Sequence, residues 1–299
     1  MKRRLRRAPG AGWRRATRSH GDSTFAETAW EQARSAGTRW AVAGGVLGAL
    51  AGLVLFAPAS WLAQRVASGT QQRLLLADAR GTVWSGSAVA VLTGGDGSRD
   101  ASSLPGRLAW TLRPSGLGFE LRASQACCLN GMAVLRIEPG FGSTTTTLLP
   151  SAGAVGQWPS AWLAGLGAPW NTLQLGGVLR LTSPGLSVQS VQGRWRVKGS
   201  AELALLGASS RLSTLDPLGS YRLSLVGDKA AATAGGSPAR LGLATLEGAL
   251  QLSGSGTWGL GGLQFRGEAR ANAADEAALA NLLNIIGRRE GARSVILIG

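Results

Sequence analysis

Two apolar patterns divide the chain. The first is an unbroken stretch from Trp40 to Leu62, WAVAGGVLGALAGLVLFAPASWL, and no charged residue occurs between Arg39 and Arg65. As a helix that uncharged run rises about 37 Å, enough to cross a hydrocarbon core of about 30 Å. Trp40 and Trp61 stand at its two ends and are read as interfacial anchors, because amphipathic rings favour the headgroup level. Gly44, Gly48 and Gly52 recur at i, i+4 and i+8, a doubled small-xxx-small line that lets two helix backbones approach closely. Ala57-Pro58-Ala59 resembles a signal-peptidase site, but the upstream segment and the apolar run are both too long for a signal peptide. Arg14-Arg15 lie too far upstream to read as a twin-arginine signal. A retained anchor is the reading adopted.

The second pattern has period two. Leu108, Trp110 and Leu112 alternate with smaller or polar residues, as do Trp195 and Val197, Tyr221, Leu223 and Leu225, and Leu263 and Phe265. Alternation of this kind marks half-buried strands of an antiparallel sheet. Glycine-rich breaks at Gly94–Ser103, Gly140–Thr144, Ser183–Gly185 and Ala230–Pro238 separate the runs. Ten to thirteen strands are expected between about Leu74 and Ala271. Helical spacing returns twice. A short piece spans Trp158–Leu166. A longer one, Ala273–Ile286, has Leu279, Leu282, Leu283 and Ile286 on one face and Gly287 as its C-cap. A last strand covers Ser294–Ile298. The expected fold is mainly β: a single N-terminal transmembrane helix (40–62), then a large antiparallel β-sheet domain (66–299) with a short C-terminal helix. The sheet could be extended, groove-like or a sandwich.

Charge orients this plan. Ten basic residues precede Trp40 against Asp22, Glu27 and Glu31, which favours an N-terminus kept in the cytoplasm. Residues 1–39 then form an Arg-rich cytoplasmic tail, disordered up to a weak helix near Phe25–Arg34. That tail holds about half of the net charge of +15. The remaining basic residues are scattered singly among strands, with no basic cluster interleaved with aromatics, so nucleic acid is not an expected partner.

Candidate chemistry is sparse. The one histidine, His20, lies in the tail, so the β domain has no imidazole for a triad or a zinc site. Gly254-Ser255-Gly256-Thr257-Trp258-Gly259 spells G-x-G-x-x-G, but it runs into another strand pattern where the dinucleotide fingerprint needs a helix, and it is read as a glycine-turned hairpin. Neither an enzyme nor a cofactor or metal site is expected. Cys127 and Cys128 are the only cysteines. Neighbouring Cα atoms sit about 3.8 Å apart, closer than disulfides usually hold them. A reduced pair is favoured, with a vicinal disulfide and a bond to another chain left open.

Several phrases resemble protein N of the bacterial type II secretion system, the general secretion pathway protein N family. They are Gly81-Thr82-Val83-Trp84-Ser85-Gly86, Trp110 in a strand ending at Pro114, Gly176-Gly177-Val178-Leu179-Arg180-Leu181, the Trp195 strand, Leu218-Gly219-Ser220-Tyr221, and the closing Leu279–Gly299 stretch. The resemblance runs from about Trp40 to Gly299. It implies an accessory inner-membrane component of the secretion machine with a periplasmic β domain, working through contacts with other secretion components (the inner-membrane platform, the secretin) and with room for a homo-oligomer. It carries over no catalytic residues. The family's β domain also looks similar to the groove-forming sheets of AsmA-type lipid-transfer proteins, which makes periplasmic lipid binding or transfer the alternative function.

Overall fold

The computed structural model describes residues 21–191, 194–227, 238–259 and 262–299, with side chains from Thr38 onward apart from Arg194. His20, the tail up to residue 20 and the Ala230–Pro238 break, save Pro238, lie outside these residues. The chain forms two compact units that meet in sequence between Leu55 and Phe56.

The first unit is one helix, α1, Gly21–Leu55. It takes in residues 21–39, which the sequence assigns to a tail with only a weak helix. Within it Thr38–Leu55 is long and apolar enough to cross a membrane, and none of that stretch is buried. The helix stops at Leu55, short of the predicted end at Leu62. Pro58 explains the difference: it lacks an N–H, crowds the preceding turn and disfavours helical Ala57. Pro58 is extended (φ −69°, ψ 147°) and starts a second helix, α2, Ala59–Gly69. Trp61 is therefore carried on α2 and not at the end of α1.

Among its described residues the second unit forms a single sheet of sixteen strands with short helices between them. In chain order they are β1 Leu74–Gly81, β2 Ser85–Thr93, β3 Ala101–Ser103, β4 Leu108–Ser115, β5 Gly118–Ser124, β6 Met132–Gly140, β7 Ser143–Leu148 and β8 Ala154–Pro159. A 3₁₀ helix, Ser160–Leu166, and a one-turn α3, Trp170–Leu173, follow. Then come β9 Leu175–Val191, β10 Arg194–Ser210, β11 Gly219–Val226, β12 Ala239–Gly248, β13 Leu250–Gly259, β14 Gly262–Ala271, α4 Glu276–Ile286, β15 Arg288–Glu290 and β16 Arg293–Ile298. Neighbours run β1-β2-β4-β5-β6-β7-β9-β10-β11-β12-β13-β14-β16-β15, with β3 beside β2 and β8 beside β9. Every pairing is antiparallel. Of the arrangements open to the sequence, one open sheet is the one formed. Fourteen strands fall between Leu74 and Ala271 where ten to thirteen were expected. The three-residue β3 lies inside the glycine-rich stretch read as a break.

Register explains the period-two pattern. Leu112, Leu121, Leu135, Leu148 and Leu186 stand opposite one another across five neighbouring strands. Leu181, Leu203, Leu223 and Leu243 form a second row across four. The positions between them, such as Glu202, Ser224 and Arg222, carry polar side chains. A pleated strand sends successive side chains to opposite faces, so each row of leucines has a polar row behind it.

Among the described residues, buried hydrophobic side chains gather in three clusters. Leu279, Leu282 and Leu283 of α4 pack on Leu218, Tyr221, Leu250 and Ala269. Ala59 and Leu62 of α2 pack on Ala88, Trp110 and Leu121. Ala90, Leu104 and Cys128 meet Trp158 and Trp162. The predicted Trp158–Leu166 helix begins only at Ser160, whose buried hydroxyl hydrogen-bonds the Leu175 and Gly177 carbonyls, both at 3.0 Å.

The α4 contact gives a test. Leu283 is fully buried and its neighbour Asn284 is exposed. Leu283→Ala is expected to cost about 2–5 kcal/mol, and Asn284→Ala less than about 0.5 kcal/mol. Thermal denaturation of the detergent-solubilised chain measures both; equal shifts would contradict the packing.

Candidate functional site

Several ionisable groups pair with one another at the surface. Asp78 receives Arg107 at 2.7 Å and Arg80 at 2.8 Å. Hydrogen bonds from Arg107 and then Arg80 hold its carboxyl below the ordinary range. A hydrogen bond from Arg270, with Arg293 nearby, does the same to Glu268. A depressed carboxyl adds stability that is complete above the ordinary carboxylate range and is lost as pH falls through the folded value. Asp78 is exposed and Glu268 only partly covered, so that contribution is small and salt-sensitive. Burial alone pushes the Tyr221 hydroxyl well above its ordinary range. Among the described residues no cluster of His, Cys, Asp or Glu could hold a metal. An open depression of about 890 Å³ is lined by Asp100, Asn171, Ser210, Arg211 and Asp216 among others. Asn171 Nδ2 donates to Asp100 Oδ2 there at 3.1 Å, which ties up both groups.

The two cysteines form a disulfide with each other, their Cα atoms 3.7 Å apart. They sit in the loop between β5 and β6, and that loop closes the outer edge of β8. Gln157 N–H donates to Cys128 O at 2.8 Å and Asn130 N–H to Val155 O at 3.1 Å. Gly156 makes this possible, since a Cβ there would lie 2.6 Å from Cys128 O. The pair thus stiffens a loop that covers a strand edge, and Cys128 also anchors a buried cluster.

The remaining predicted site residues fall on surfaces. Trp40 is exposed on α1. Gly44, Gly48 and Gly52 leave open space beside α1, with nothing within 4 Å of where a Cβ would stand. Trp61 is exposed on α2. The sheet's two edges are blunted. β1 is irregular between Ala77 and Arg80, where Asp78 turns to φ 48°. At the far edge β15 is three residues of Arg and Glu, paired with Arg293–Val295 of β16. Bulges, short strands and charges of this kind discourage uncontrolled strand pairing.

Several of the resembling phrases prove to be one another's neighbours. Gly81–Gly86 is the β1–β2 turn, and Trp110 of β4 lies across it: its Nε1–H donates to Val83 O at 3.1 Å, and a Cβ on Gly86 would meet its ring at 2.6 Å. The G-x-G-x-x-G run lies within β13, the first strand of the β13–β14 hairpin that Gly259 and Gly262 close, and its inner glycines seat a ring. Phe265 covers Gly254 and Gly256, where Cβ atoms would approach it to 2.5 and 3.0 Å. Sequence spacing gave no sign of that pairing, which depends on the β13–β14 register.

The molecule is thus an apolar helix joined to one open antiparallel sheet, and it presents its functional groups on faces and edges. Residues 72–297 match the family model described as type II secretion system (T2SS), protein N. The chain belongs to the type II secretion system protein N family. No curated protein and no solved structure matches it.

The cysteine pair is readily checked. Maleimide should leave the folded wild-type chain unlabelled until a reductant is added. Cys127→Ser with Cys128→Ser should stay folded, because a bond between neighbours closes almost no loop and stabilisation grows with loop length. A fall in Tm above about 10 °C would contradict this, being several kcal/mol for a domain of this size.

Proposed function

We propose that this protein is an accessory inner-membrane component of the type II secretion machinery. Thr38–Leu55 anchors it as a single-pass protein with its N-terminus in the cytoplasm and its β domain in the periplasm. It acts through contacts with other secretion components, the inner-membrane platform or the secretin, and not through catalysis. The observation that carries this reading is the family match over 72–297 on a chain in which, among the described residues, one helix long and apolar enough to cross a membrane lies just upstream. The Arg excess before that helix supports the orientation. Confinement to one membrane raises the effective concentration of every neighbour, so modest contacts on faces and edges suffice. The glycine line on α1 is suited to pairing with a second copy or another membrane helix.

Two outcomes follow. Alkaline phosphatase fused after residue 75 should be active, and an inactive fusion would reverse the topology. Deleting the gene should reduce export of folded proteins across the outer membrane or lower the amounts of other secretion components. Normal secretion with altered outer-membrane lipid would overturn the reading in favour of lipid handling.

A further inference from the structure

The meander has two ends of different construction. One end carries α3, α4, the Cys127–Cys128 loop and two of the buried clusters. The other carries tight turns: β1–β2 at 82–84, β4–β5 at 116–117 and β6–β7 at 141–142. At this second end Leu117 is 96% exposed between Gly116 and Gly118, and Phe141 is 111% exposed between Gly140 and Gly142. The glycines supply the turn geometry, Gly116 at φ 59° and Gly142 at φ 68°. The apolar tips therefore contribute nothing to the turns they crown.

Register extends the set along the same rim. Ser143 faces Val191, which puts the start of β10, with exposed Trp195, beside Phe141. Phe265 faces Ile298, so exposed Leu263 and Leu297 lie at this end too. Single exposed apolar side chains are ordinary, but a set gathered along one rim marks an interaction surface.

The chain also enters the sheet at this rim. Pro58 bridges to Thr82, and Val83 N–H donates to Ala57 O at 2.9 Å, so the entry segment lies against the β1–β2 turn. Phe56, 78% exposed, directly follows the last residue of α1. Residues 56–58 can reach at most about 10 Å, and the headgroup zone on each side of the hydrocarbon core is about 5–8 Å deep. With Thr38–Leu55 spanning, the β1–β2 turn is held at or beside that zone. Leu117 and Phe141 stand about 10 and 19 Å along the rim from it, two and four strand spacings of about 4.8 Å.

We propose that this rim of the sheet rests on the bilayer from which the chain emerges, with Phe56, Leu117 and Phe141 seated among the lipid headgroups. A bilayer accepts apolar tips dispersed along an edge, where a protein partner would need a continuous complementary patch of about 800 Å². Aromatic and aliphatic tips are the residues that favour this interface. The contact fixes which end of the sheet faces the membrane and leaves the faces and edges free for protein neighbours. It rests on the reading that α1 spans.

The test uses the full chain reconstituted in phosphatidylethanolamine–phosphatidylglycerol liposomes. Nitroxide labels are placed through Leu117→Cys, Phe141→Cys and, at the opposite end, exposed Met132→Cys; Cys127 and Cys128 are joined and do not react. Collision with a water-soluble nickel chelate should be several-fold lower at 117 and 141 than at 132, and collision with oxygen higher. Equal accessibility at the three positions overturns the proposal. So does protection at 117 and 141 that fades as the protein is diluted in lipid, with spin–spin broadening between copies, since the rim then meets a second copy. Flotation after an alkaline wash reads α1 separately. A chain that fails to float sinks the spanning helix itself; a floating chain with wet labels sinks only the rim contact.

Discussion

The antiparallel backbone ladder is what the rest of this protein depends on. Few large side chains are fully buried, and Leu279, Leu282 and Leu283 of one short helix are the chief examples. The leucine rows along the strands are half-buried. Continuity therefore comes from inter-strand hydrogen bonds running unbroken from β1 to β15, with cross-strand leucine pairs adding increments of about 0.2–1 kcal/mol each. Three local packings stop this ladder from fraying. The helix α2 clamps its first strands through Ala59 and Leu62, α4 clamps its last through three leucines, and the disulfide loop closes the edge left where β8 displaces β7 along β9.

An open ladder has a functional corollary. With little interior, it desolvates few charged groups among the described residues. Asp78 and Glu268 engage arginines at the surface, and the clearest burial effect falls on one tyrosine. What such a sheet offers in abundance is surface: an apolar row, a polar row behind it, two blunted edges and a rim of turns. For a member of a secretion-machine family, contact is the use to which those surfaces are suited.

The strands were legible because one face is half-buried, which forces alternation onto stretches such as Arg107–Arg113 and Tyr221–Leu225. The C-terminal helix was legible because its leucines recur at helical spacing against a β background. The helix end at Leu55 was obscured because the apolar run continues through α2, which needs the same residue types to pack on Trp110; Pro58 was the signal. The short β3 was hidden because three small residues cannot show a period. Phe141 lies inside the Gly140–Thr144 break, where glycine is read as punctuation, and Leu117 inside the two-residue β4–β5 turn, which is too short to show a period. A large apolar residue between two glycines was the feature to notice. The Phe265 cover over Gly254 and Gly256 depends on register, which no single strand encodes.

In-cell photocrosslinking tests the central claim, contact with other secretion components through the β domain, most directly. A photoreactive residue at Leu223 on the apolar face or at Glu290 on the edge strand β15, both exposed, should yield adducts containing a secretion component. Ser253 on the polar face serves as the comparison. Adducts with lipid alone, or none at any of the three positions in actively secreting cells, would contradict it.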